Sequence, residues 1–297
     1  MTILLPAIIP VAFIIFIGFI AGKTLKLQQQ TLSQLTVYIL APALVADSLY
    51  TTTMSAESAA KLLLGVFIIA SVLYLLVLGV SYWFNLSSLI RKSLIATTLH
   101  PNNGNMGLSL VDFALGSGGL DRAIIYMIGS SILLFGITPA ILAGTSLKHS
   151  LGVVFKLPLI WAMIAGLILR VLQIKLPFNL GEGLHLLGVA AIPIALLILG
   201  MQLADTRFKV RKFEFASLNL RLIIAPIIAL LIGKLINLDS LDLQVLILQS
   251  AMPTAVNTLV LVTEFGGDPP LVARTIVVTT LLSFLTLPMV LWLSTNL

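Results

Sequence analysis

The chain has 297 residues, 59% of them hydrophobic and 9% charged, whereas soluble domains carry about 25% charged residues. That excludes a water-soluble globular fold, since water-facing positions need polar side chains, and leaves the bilayer as the solvent. The net charge of +6 does not indicate nucleic acid, because the basic residues are scattered through short loops; the absence of cysteine excludes disulfides, thiolate metal sites and cysteine nucleophiles.

A spanning helix needs roughly 20 apolar residues. Ten apolar segments meet that description, at about 3–22, 31–50, 60–84, 91–114, 122–143, 154–172, 180–203, 214–236, 242–265 and 271–294. The first opens directly on an apolar run, MTILLPAIIPVAFIIFIGFIAGK, without a basic leader or a small-residue cleavage site. It reads as a span and not as a removed signal. The connections are short and carry most of the charge.

The basic residues sort by side. Loops after odd-numbered spans hold 11 of them: Lys23, Lys26, Arg91, Lys92, Lys148, Lys156, Arg207, Lys209, Arg211, Lys212 and Arg274. The opposite side holds 5: Lys61, Arg122, Arg170, Lys175 and Lys234. Lysine and arginine collect on the cytoplasmic side. The expectation is a multi-pass protein of the plasma (inner) membrane with both termini facing outward, to the periplasm.

A shift of 152 residues superimposes the halves, pairing Pro6 with Pro158, Pro101 with Pro253, Asn105 with Asn257, Phe113 with Phe265 and Arg122 with Arg274. Apolar matches are cheap in such a chain; proline, asparagine and arginine matches are not. Residues 1–146 and 150–297 are thus predicted to be two five-span repeats. Five is odd, so the second inserts upside down, as in many secondary transporters. The fold class expected is an all-α membrane protein, ten transmembrane helices as a 5+5 inverted repeat with spans four and nine broken.

Span four reads SLIATTLHPNNGNMGLSLVDFAL and span nine VLILQSAMPTAVNTLVLV. Each has a mid-membrane proline followed by polar residues. Proline removes a backbone donor and clashes with the preceding turn, and unsatisfied backbone in hydrocarbon costs several kcal/mol per group. HPNNGN therefore has to be buried in protein or line a cavity. Breaking two antiparallel helices leaves N-termini near Asn105 and Asn257, where free N–H groups and partial positive charge suit an anion. The C-terminal ends offer carbonyls, which suit a cation. Asn102, Asn103, Asn105, Thr254 and Asn257 are the candidate substrate-binding residues. The bland alternative is a pair of proline kinks whose asparagines only cap helices.

HPNNGNMGL, followed by AMPTAVNTLVLVTEFGGDPPLVARTIVVTTLLSFLTLP, resembles the auxin efflux carrier family, which includes bacterial members and the plant PIN-type carriers. The resemblance covers essentially the whole chain. It implies a fold like that of sodium–bile acid symporters and sodium/proton antiporters, a scaffold of spans 1, 2, 6 and 7, and a mobile core of spans 3–5 and 8–10 moving in an elevator cycle. It implies substrates such as malate, malonate or auxin, crossover prolines at Pro101 and Pro253, binding asparagines at Asn103, Asn105 and Asn257, and a homodimer. HPNNGN stands where the plant carriers have asparagine–proline–asparagine.

Three further residues are candidates for proton or anion coupling. His100 precedes the first crossover proline and titrates near physiological pH when unperturbed; a hydrogen-bonded structural role competes. Asp47 is an intramembrane carboxylate, a functional candidate by default, but near the outer end of span two. Arg221 lies about two turns into span eight; snorkelling to the surface competes with a contact to a substrate carboxylate. Asp112 and Glu264 sit 11 residues past their prolines, ~16 Å from the centre at 1.5 Å per residue, and are expected at the membrane edge. GFIAGKT at 18–24 is one residue short of a Walker loop and follows no strand; the NLS sequon at 85–87 falls in a cytoplasmic loop.

The leading reading is a secondary transporter of a small organic anion, with no cofactor or metal and a coupling ion, H+ or Na+, left open. A sodium symporter of the bile acid type is the runner-up; it needs a cation cage, and no acidic residue falls at the crossover. A non-transporting membrane sensor usually carries a signalling domain, and none is visible. An intramembrane enzyme lacks a paired catalytic constellation.

Overall fold

The computed structural model describes residues 4–144, 152, 154–205 and 212–296. The loop basic residues Lys148, Arg207, Lys209 and Arg211 lie outside the described residues. Among the described residues, eleven helices follow one another: α1 (Leu4–Thr24), α2 (Gln29–Thr51), α3 (Ala56–Trp83), α4 (Ser88–Leu99), α5 (Asn103–Ala143), α6 (Pro158–Val171), α7 (Leu180–Asp205), α8 (Phe213–Leu235), α9 (Ser240–Ser250), α10 (Asn257–Phe265) and α11 (Pro269–Thr295). Among the described residues there is no strand. Six of the helices (α2, α3, α5, α7, α8 and α11) are long and apolar enough to cross a membrane.

Prolines punctuate these helices in a regular way. A proline inside a helix has no N–H for the carbonyl four residues back, and its ring presses on that carbonyl. In α2, α5 and α8 a single wider π-turn absorbs the clash: Thr36–Leu40 before Pro42, Leu133–Ile137 before Pro139, and Asn219–Ile224 before Pro226. Such turns bend a helix without ending it. The chain inside α5 turns at Gly116, whose φ of +66° lies in the left-handed region that favours glycine. The two helical stretches on either side of Gly116 are therefore separate rods.

The distribution of polarity is inverted relative to a soluble protein. Phe13, Phe16, Leu75, Trp161, Leu231 and Leu285 are exposed, while Ser93, Thr97, Gln249, Ser250, Thr275 and Thr279 are fully buried. In water that arrangement would be unstable; in lipid the apolar exterior costs nothing, and the buried hydroxyls bond to the helix backbone, as Thr97 Oγ1 does to Ser93 O at 2.9 Å.

Helix contacts fall into two groups. The helices α1 and α7 run against each other, and α2 packs on α6 and α7. Around the breaks, α3, α4, α5, α8, α9 and α11 pack on one another. Lipid tails are as apolar as leucine, so membrane helices associate through close backbone approach at small residues. A methyl group at Gly200 would collide with Ile15 O of α1, and one at Gly18 with Leu197 O of α7. At Gly166 a Cβ would come within 2.6 Å of Ala46 O, which joins α6 to α2.

Two buried ion pairs tie the second group together. Arg122 Nε donates to Asp242, whose carboxylate also accepts from Ser58. Arg274 Nε donates to Glu214 at 2.7 Å. Both carboxylates are buried, at 1% and 0% exposure, and both arginines occupy matched positions in the two halves. Each pair links the start of one helix to the body of another.

The glycine contacts generate a test. Overpacking costs about 1–3 kcal/mol, and each kcal/mol shifts melting by roughly 2–4 °C in a chain of this size. Gly200→Ala should melt several degrees below wild type. Gly79→Ala, where nothing lies within 4 Å of the new methyl, should melt at the wild-type temperature or slightly above. Equal melting of the two variants would show that the α1–α7 approach is not tight.

Candidate functional site

The two helix breaks repair each other. The helix α4 ends at Leu99 and α9 at Ser250, each just before its proline. Beyond those ends the two chains run antiparallel through a single bridge between Pro101 and Thr254. Asn102 N donates to Pro253 O at 2.6 Å, and Ala255 N donates to His100 O at 2.9 Å. Thr254 adds two bonds: its hydroxyl donates to Thr97 O at 3.0 Å, and its N–H to Thr279 Oγ1 at 3.2 Å. The backbone groups that the prolines leave without helical partners thus find partners across the crossing. This is how HPNNGN and MPTAVN are tolerated at membrane depth.

Past the crossing, both chains re-enter helix. The first begins with a wide turn at Asn103–Gly107, and Met106 N and Gly107 N both reach back to Asn102 O. The second begins at Asn257. The first N–H groups of any helix lack intrahelical partners, and here neither preceding residue, Asn102 or Val256, supplies a side-chain cap. Both helix starts open into one cavity of about 1030 Å³, measured out to its open mouth.

Asn102, Asn103, Asn105, Asn257, His100 and Pro101 all line this cavity. Its opposite wall comes from the other helix group, with Thr36 and Ala41 of α2, Pro158 of α6 and Ala191 of α7. Among the described residues, no acidic side chain lines it. Asn102 and Asn103 are buried, and the Nδ2 atom of each has no hydrogen-bond partner among the described residues. Asn105 is half-buried and Asn257 is exposed into the opening. Thr254 and Pro253 lie behind the crossing, fully enclosed and away from the cavity.

His100 is 1% exposed. Its Nε2 is hydrogen-bonded to Thr138 Oγ1 at 2.9 Å, and its Nδ1 has no partner. Asp47 does not line the cavity; its Oδ2 pairs with His185 Nδ1 at 2.8 Å, between α2 and α7. Arg221 does not snorkel. It is 1% exposed and points into the second helix group, where Nη1 donates to Thr98 O at 2.5 Å and Nη2 to Ser250 O.

Three features escaped sequence reasoning. Asp242 and Glu214 stand at the very start of their spans in the sequence, and only the fold buries them against Arg122 and Arg274. Gln249, one residue before the end of α9, is fully buried, both its amide atoms lack a partner among the described residues, and a Cβ at Gly107 would meet its Oε1. Its position opposite Gly107 is set by the crossing and leaves no mark in local sequence.

The sequence profile of the family described as "Membrane transport protein" matches residues 3–149 and 140–291. An uncharacterized transporter of Methanocaldococcus jannaschii is 27% identical over 299 residues, covering 96% of this chain and 97% of that protein. The Escherichia coli K12 protein named uncharacterized transporter YfdV is 27% identical over 176 residues, 56% of each chain. A protein of Rhizobium meliloti named putative malonate transporter is 25% identical over 309 residues, 96% of this chain and 94% of its own. A helical chain with an apolar exterior, a repaired crossing of two broken helices and an asparagine-lined cavity mouth at that crossing, matched by the family profile over almost its whole length, belongs to the membrane transport protein family of auxin efflux carriers.

Proposed function

We propose that this protein is a secondary transporter that moves a small organic anion across the inner membrane by an elevator-type alternating-access cycle. The observation that carries the reading is the cavity at the crossing. Among the described residues, two uncapped helix starts and two buried, unpartnered asparagine amides converge on one opening lined by no carboxylate. Buried polar groups are nearly always satisfied, so such donors point to a ligand that accepts hydrogen bonds. Each helix start carries about half a positive charge, and two of them match a single carboxylate.

The substrate carboxylate sits between Asn105 and Asn257, with Asn102 and Asn103 donating from the buried side. Thr254 holds the crossing from behind, and Pro101 and Pro253 fix the breaks. The name of the Rhizobium meliloti relative favours a short dicarboxylate such as malonate among the candidates. The ten spans form two inverted repeats, residues 1–146 and 150–297. Spans 1, 2, 6 and 7 are the scaffold, and the other six, carrying the crossing, are the moving core. The cavity's place between the two helix groups supports this division, because a core sliding on the scaffold would carry such a site from one side to the other.

Losing one charge-assisted hydrogen bond removes about 1.5–3 kcal/mol, or roughly ten- to a hundredfold in affinity. Asn105→Ala and Asn257→Ala should each weaken malonate binding by that factor and abolish useful uptake in reconstituted vesicles, with melting unchanged. Asp112→Ala should leave binding intact. Wild-type affinity in both asparagine variants would move the site elsewhere and reduce the asparagines to helix-breaking residues.

The basic-residue asymmetry places both termini outside. A cysteine introduced in the 205–213 connection should resist an impermeant thiol reagent on intact cells, and one introduced at Asn296 should react. The opposite pattern would invert the topology. The family resemblance also points to a homodimer through the scaffold helices; mass measurement in lipid nanodiscs should give twice the mass of one chain, and a monomer would overturn it.

A further inference from the structure

The crossing has a second side. The starts of the two inner helices open into the cavity, and the ends of α4 and α9 face the opposite way. Each helix end carries about half a negative charge, so the two together present about one. In transporters built on broken helices, such ends coordinate the coupling cation. The carbonyls at these two ends have identifiable partners. Thr97 O accepts from the Thr254 hydroxyl, and His100 O from Ala255 N. Ile247 O and Leu248 O both accept from Ala251 N. Thr98 O and Ser250 O, one from each end, both accept from the guanidinium of Arg221.

Nη1 and Nη2 of Arg221 are both committed to these carbonyls, and its Nε has no partner among the described residues. Arg221 is 1% exposed, so the guanidinium is cut off from water. Among the described residues it forms no ion pair. Val66, Ile69, Leu73 and Leu133 wall its surroundings. It does not line the large cavity; Pro101 and Ser130 stand between the two spaces and line both. The π-turn Asn219–Ile224, which carries it ahead of Pro226, holds its backbone within α8. A guanidinium keeps its charge at any physiological pH, and its planar fork spans two carbonyls at once.

Resting on the anion-transport reading above, we propose that Arg221 is the fixed counter-ion of the crossing: its guanidinium takes the position of a coupling cation, so the transport cycle does not use sodium. The single positive charge balances the two helix ends. It also binds α4 and α9 to α8, so that the three move as one body. Arg221 is therefore a positioning residue, acting on the ligand only through the shape and charge of the crossing.

The test uses melting in detergent and needs no organic acid, so it stands apart from any failure of substrate binding. Wild-type protein should melt at the same temperature in 100 mM sodium chloride and 100 mM choline chloride. Arg221→Ala, which strips two buried carbonyls of their donor, should melt lower by roughly 5–15 °C. Millimolar guanidinium ion, or sodium, should raise the variant's melting relative to choline and leave wild type unmoved, because only the variant has a vacated cation position. Arg221→Lys should keep most of the stability and remain insensitive to sodium. If the alanine variant does not fold, Arg221→Gln, which keeps a donor without the charge, takes its place with the same expected cation response. Stabilisation of wild type by sodium would overturn the proposal. So would variants that are destabilised yet indifferent to both cations, since that is how a merely structural arginine behaves. Malonate uptake by wild-type vesicles should then run at equal initial rates with and without a sodium gradient; a severalfold increase with sodium would also overturn it.

Discussion

Everything distinctive in this protein follows from one constraint: a helix broken inside a bilayer must find new partners for its exposed backbone. Pro101 and Pro253 break two helices at the same depth. The chain solves the problem by crossing the breaks, so that Asn102 bonds to Pro253 and Ala255 to His100. Partners for the free backbone are thus found, but four helix ends remain at the centre, two positive and two negative. Charge of that kind cannot be left bare in a low-dielectric medium. On one side a guanidinium meets the carbonyl ends; on the other, the amide ends open into a cavity with asparagine donors.

The surrounding helices make that arrangement possible in two different ways. One group approaches backbone to backbone at glycine, where Gly18 meets Leu197 and Gly200 meets Ile15. This gives a rigid pairing with few polar contacts. The other group is held by buried polarity: the ion pairs of Arg122 with Asp242 and Arg274 with Glu214, and hydroxyl bonds such as that of Tyr126 with Ser250 at 3.1 Å. A buried ion pair is a directional link, and it resists sliding within its own group. Between the groups the described residues form no ion pair; Ser48 Oγ of α2 donates to Asp121 Oδ1 of α5 at 2.5 Å, and the cavity lies between the same groups.

His100 shows how one residue serves two needs. Its carbonyl accepts from Ala255 and so repairs the crossing, while its ring spans from Thr138 to the cavity wall. Asp47, by contrast, is bound to His185 in the helix group that lacks the breaks. His100 and Asp47 therefore sit in different helix groups.

The sequence by itself determined the solvent, the helical class and the breaks. Those are properties of composition and of local covalent chemistry: apolar runs of spanning length, a ring in place of an N–H, and polar residues with nowhere to go in lipid. The family was legible too, in HPNNGN and AMPTAVNTLV, because the motif is contiguous. The gathering of the asparagines into one cavity was foreseeable in outline from the repeat, since two antiparallel breaks at equal depth must meet. The tertiary structure alone decided the rest. Arg221 reads as a snorkelling residue when only its distance from the helix end is known; its partners lie 123 and 29 residues away. Asp242 and Glu214 carry no local sign of burial in the sequence; the arginines that neutralise them arrive from 120 and 60 residues along the chain. Thr254, a donor to any ligand by its chemistry, is turned inward by a carbonyl of the other broken helix. In each case the deciding partner is distant in sequence, and nothing in a local pattern encodes which side chain a crossing will bring near.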